Sequence, residues 1–96
     1  MNPDSVVWIF HGSTGRFAGG VFRTVERAED WIHRNCLSGV LTAYPVDVGV
    51  MDWAIERNFF NVEKANNAVK LKDPEFIASF TTASQEHFHY SDGKRA

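Results

Sequence analysis

The run with most chemical potential in this chain is Glu86-His87-Phe88-His89-Tyr90. On a β-strand alternate side chains share a face, so His87 and His89 project together while Phe88 and Tyr90 project to the other side. Two imidazoles spaced this way hold a transition metal if a third ligand arrives from His11, His33, Asp47 or another strand. The same rings suit proton transfer near neutral pH. His-x-His is a motif of low specificity, however, and a plainer arrangement competes with it. If Phe88 and Tyr90 fill the core, the histidines merely occupy the sheet's other side. The plainer arrangement is the favoured one. His87 and His89 therefore stand as the metal-ligand candidates, and no residue is assigned a catalytic role.

Two further groups are candidates for binding. His11 opens the loop Gly12-Ser13-Thr14-Gly15-Arg16, which lacks the spacing and the terminal Lys-Ser/Thr of a phosphate-cradling loop and is not directly followed by a helix. It reads as a hairpin turn, with His11 and Arg16 flanking a pocket for a small molecule. The second group is Asp52, Trp53 and Glu56. The surrounding helix carries Val50, Met51, Trp53, Ala54 and Ile55 over most of its circumference, leaving Asp52 and Glu56 as its wet side. A helix this apolar is either wedged between layers or exposed for a partner.

The elements that must position these groups follow from periodicity. Residues 6–11 form a near-continuous apolar strand. Four glycines within residues 11–20 then permit a turn or bulge back into a second strand over 20–23. Thr24 caps a helix over 25–36, with Glu26 and Glu29 near its start and His33 and Arg34 near its end, where the macrodipole favours each charge. Val25, Ala28, Ile32 and Cys36 share one stripe with Trp31 at its edge, so Cys36 is expected in the core as an inert thiol. Ser38-Gly39 stops that helix. A third strand spans 40–46, with Pro45 at an edge or a strand end, and the second helix covers 50–58. Residues 61–72 read as a polar surface loop. Asp73-Pro74-Glu75 marks a helix start, with Phe76, Ile77 and Phe80 turned inward. Residues 85–90 form a fourth strand and Ser91-Asp92-Gly93 a turn.

Composition bounds the rest. A chain of 96 residues suits one domain over 1–96 with one core, burying somewhat more than about 60% of its unfolded surface. Its hydrophobic share of 44% and charged share of 23% are those of an ordinary globular chain. Three Trp and eight Phe supply large buried area without metal or disulfide. With a formal charge of −2 and no cluster of Lys and Arg, nucleic acid is not the expected partner. The mildly acidic body points to a protein partner that is basic. The one cysteine fits a reducing cytoplasm, and the apolar run behind the N-terminus is too short for a leader or a membrane span. No cofactor is expected, and the oligomeric state is not legible.

The whole string resembles a family of small bacterial proteins of unknown function. It runs from Val7-Trp8-Ile9-Phe10-His11-Gly12 through Ala28-Glu29-Asp30-Trp31-Ile32, Leu37-Ser38-Gly39-Val40-Leu41 and Asp52-Trp53-Ala54-Ile55 to Ser84-Gln85-Glu86-His87-Phe88-His89-Tyr90. The resemblance implies a bacterial cytoplasmic domain and carries no reaction or ligand. The expected architecture is α+β: an antiparallel or mixed sheet of about four strands, in chain order β-β-α-β-α-α-β, with helices mainly on one face. The expected function is a protein-binding module of inhibitor or immunity type. A metal-assisted or acid/base enzyme using His87, His89 and His11 is the less favoured class, beside a small-molecule sensor.

Overall fold

A computed structural model describes residues 5–64 and 66–96; residues 1–4, and Ala65 within the stretch read as a loop, lie outside the described residues. The class is α+β, with two compact units. One comprises the residues up to Val46 together with Gln85–Ala96, and the other is Asp47–Ser84.

The first unit is a five-stranded antiparallel sheet in the order β2-β1-β3-β4-β5. Its strands are β1 (Val6–Gly12), β2 (Ala18–Phe22), β3 (Gly39–Pro45), β4 (His87–Ser91) and β5 (Lys94–Arg95). The expected four strands are thus joined by a short fifth, because Asp92 and Gly93, at φ 51° and 86°, form a two-residue hairpin turn that brings Lys94 opposite Ser91. Alternation sends Trp8, Phe10, Leu41, Ala43 and Tyr90 to one face, where α1 (Val25–Arg34) covers them with Ala28 and Ile32. Trp31 packs edge-on to Phe10, 5.5 Å between centroids, and also meets Phe22. Thr24 caps α1 by accepting from the Arg27 amide, as its position predicts.

Cys36 departs from expectation. Helix α1 ends at Arg34, and Cys36 is exposed in the left-handed region at φ 54°. Its amide donates to His33 and that of Leu37 to Ile32, the paired bonds that close a helix with a left-handed residue. The turn therefore comes before Ser38-Gly39. It rotates Cys36 off the apolar stripe and lets Leu37 take its place against the core. Gly39 serves the sheet instead, since a Cβ there would overlap the carbonyl of His11 and the Phe10 ring. The buried Gln85 donates its side-chain amide to the Ala43 carbonyl at 3.0 Å, tying the segment before β4 to β3. Strand β2 also starts two residues earlier than expected, with a register shift across from Phe10 and His11.

The second unit contains α2 (Val50–Glu56), α3 (Asn67–Lys70) and α4 (Pro74–Ala78). Met51 and Ala54 are its buried α2 residues, and the helix closes at Asn58, φ 63°, whose amide donates to the Ile55 carbonyl while that of Phe59 donates to Ala54. Within the stretch expected to be loop, α3 forms because the Asn67 side chain donates to the Asn61 carbonyl and holds the preceding turn. Asp73 caps α4 as predicted, with Pro74 at its first position. Phe76 and Phe80 meet Phe60 in a three-ring cluster at 5.5 to 6.3 Å. Ile77 does not join them and is exposed: it lies about 100° round α4 from Phe76, while Phe80 reaches the cluster from beyond the helix end.

Candidate functional site

Strand register decides which candidates meet. His11 lies opposite Val40, and Val40 opposite His89, so both imidazoles stand on the sheet face away from α1. At the end of the strands they line a groove of about 520 Å³ with Ser13, Val40 and Tyr90. His87 shares that face, its ring 5.4 Å from that of His89 and nearly perpendicular to it. Phe88 and Tyr90 point to the core, as the plainer arrangement requires.

A carbonyl only accepts, so ring protons are placed by their partners. His87 Nδ1 donates to the Gln85 carbonyl at 2.7 Å, which leaves Nε2 as the nitrogen that could face a metal. His11 Nε2 reaches the Arg16 carbonyl at 3.4 Å, so these two candidates meet through the loop backbone. The Arg16 guanidinium lies over the Phe17 ring instead, 5.9 Å from its centroid. Among the described residues no group of three or more His, Cys, Asp or Glu is arranged to hold a metal. What the groove offers is two imidazoles and a serine hydroxyl around an apolar floor.

In the second unit, Asp52 and Glu56 are exposed one turn apart on α2. Trp53 is half-buried, 5.5 Å from the Phe59 ring and stacked beneath the Arg57 guanidinium. A groove of about 380 Å³ follows, lined by Ile55, Asn58, Phe60, Val62 and Glu63.

One constellation was not anticipated. The Glu29 carboxylate accepts from the Tyr90 hydroxyl at 2.6 Å and from Arg95 Nε at 2.5 Å. The Arg95 guanidinium also lies 4.1 Å above the Phe88 ring. Arg95, then Tyr90, hold the Glu29 carboxyl below the ordinary carboxylate range. Burial, reinforced by the bond to Glu29, pushes the Tyr90 phenol up to about 12. This triad straps β5 and the end of β4 onto α1. The only sequence signal for it was Asp92-Gly93, whose turn returns Arg95 beside Tyr90.

The chain belongs to a family described as a domain of unknown function, DUF7710, whose model matches residues 7–96. No curated protein and no solved structure matches it. No helix among the described residues is long and apolar enough to cross a membrane.

Proposed function

We propose that this DUF7710 member is a protein-binding module of inhibitor or immunity type, acting in a bacterial cytoplasm and covering a basic patch on its partner. The observation that carries the reading is the surface of α2. Phe59, just beyond α2, is 47% exposed against Trp53, and Asp52 and Glu56 are both exposed on that helix. Partly exposed aromatic rings bordered by charge are the usual make-up of interaction hot spots, and acids at the rim steer a basic partner into register. The groove beside Phe60 and Val62 is of mixed polarity, and Glu63 in its lining adds a third carboxylate for a basic side chain. A photo-crosslinking amino acid placed at Phe59 in cells of the source organism tests this. The expected result is one adduct of defined mass, lost when Asp52 and Glu56 are both changed to Lys. No adduct, or one indifferent to that reversal, overturns the reading.

A second reading is favoured by a separate observation, the Nδ1 bond that leaves His87 Nε2 available beside His89. Two imidazoles on one face of a strand form a labile site for zinc, nickel or copper, completed by water. Calorimetric titration with each metal checks it. Binding that persists in a His87→Ala, His89→Ala double variant excludes this site.

A further inference from the structure

The exposed edge of the sheet is a separate surface. Among the described residues strand β2 has one neighbour, β1, and its outer side pairs its backbone N–H and C=O groups with no other strand. None of the described turn, loop or cap hydrogen bonds involves residues 18–22. Its residues, Ala18-Gly19-Gly20-Val21-Phe22, include no charge and no proline, two of the devices that protect an edge. The register shift at Gly19 is the only irregularity and leaves Gly20–Phe22 as a regular run. Val21 is 62% exposed, and Phe17, just before the strand, is 80% exposed. An edge of this kind is completed by an added strand.

Charge selects which strand. Arg16 and Arg23 flank β2, both exposed and neither ion-paired among the described residues. If a second copy paired through β2 in antiparallel fashion with full overlap, Arg16 of each copy would lie beside Arg23 of the other. Four arginines without an acid would then gather at the two ends of the junction, two at each end in adjacent register positions, where like charges repel. The same two guanidinium groups are complementary to a strand carrying a carboxylate at each end. We propose that the β2 edge binds an extended segment of a partner protein with an apolar centre and acidic flanks, adding a sixth strand to the sheet. Val21 and Phe17 contact its side chains, while Arg16 and Arg23 set its register. This surface is of opposite charge to the one on α2, and either stands if the other fails.

The probe is a seven-residue peptide of alternating valine and threonine with a glutamate at each end, compared with its lysine-ended counterpart. Amide-resolved NMR on the intact chain should show shifts and slowed hydrogen exchange confined to residues 17–23 with the acidic peptide. The acidic peptide should bind about three- to tenfold more tightly than the basic one, the worth of two exposed ion pairs. An Arg16→Glu, Arg23→Glu double variant should invert that preference, and because both side chains are exposed it tests charge without disturbing the core. Absence of binding, shifts centred elsewhere, or equal affinity for the two peptides overturns the proposal. So does sedimentation showing that the chain already dimerises through β2, with the dimer lost in Val21→Lys.

Discussion

Replacing Tyr90 with Phe isolates one hydroxyl at the junction of α1, β4 and β5. The ring is buried and keeps its edge contact with Phe10, 6.5 Å between centroids, so the change removes the hydroxyl's 2.6 Å bond to Glu29 and its weaker interaction with Arg95. A hydrogen bond to a carboxylate contributes about 1.5 to 3 kcal/mol. Here Glu29 keeps Arg95 and is about a third exposed, so the loss should be near 1 kcal/mol at pH 7. For a chain of this size that lowers Tm by about 4 to 8 °C. The alkaline limb is more diagnostic. Because the folded phenol titrates at about 12 and an unfolded one near 10, the unfolded state loses this proton first as pH rises. The native state then binds more protons than the unfolded state, so the stabilisation is fully present below about pH 10 and is lost towards pH 12. Two units correspond to at most about 2.7 kcal/mol. Urea melts at pH 7, 9, 10 and 11 should show the wild-type chain weakening above pH 10 more steeply than Tyr90→Phe. Tyrosinate absorbance should assign the late step to Tyr90. Equal stability of the two proteins at pH 7, or parallel alkaline limbs, would refute the account of this triad.

Other expectations concern separate parts of the structure. Glu29 has its carboxyl held low, so its contribution is present above the ordinary carboxylate range and is lost as pH falls through the depressed value; Glu29→Gln should flatten that acid limb in melts from pH 6 to 2.5. Leu41 is fully buried at the centre of the sheet, and Leu41→Ala should cost about 3 kcal/mol in chemical denaturation with an unchanged m-value. At Gly93, φ is 86° and a Cβ would stand 3.1 Å from Cys36 Cα, so Gly93→Ala should cost about 2 kcal/mol and loosen β5, read as faster amide exchange at Lys94 and Arg95. Cys36, exposed at the end of α1, should react with a thiol reagent in the folded protein at nearly the rate seen in urea.

Local rules account for much of the molecule. Alternation in residues 85–90 sorted Phe88 and Tyr90 from His87 and His89 without any tertiary information, because side chains on a strand must alternate, whereas the unbroken apolar run of residues 6–10 marked a strand without saying that Trp8 and Phe10 take the buried face. The caps Thr24 and Asp73 were legible for the same reason, since each satisfies amides within one turn of itself. The end of α1 was not. Nothing in Asn35-Cys36 marks a helix stop as glycine would; Leu37 reaches the core only if Cys36 turns left-handed, and that gain depends on the sheet beneath. The α+β class and a family of unknown function were readable from the whole string. The shared groove of His11 and His89 was not, because it requires β3 to lie between β1 and β4, a strand order that no local pattern encodes. The Glu29, Tyr90 and Arg95 triad likewise joins residues more than 60 positions apart. Sequence alone determined which faces are apolar and where most turns fall, as these are set by neighbours in the chain. Only the tertiary structure decided which strands became edges and which charges met, because those depend on pairing across long loops.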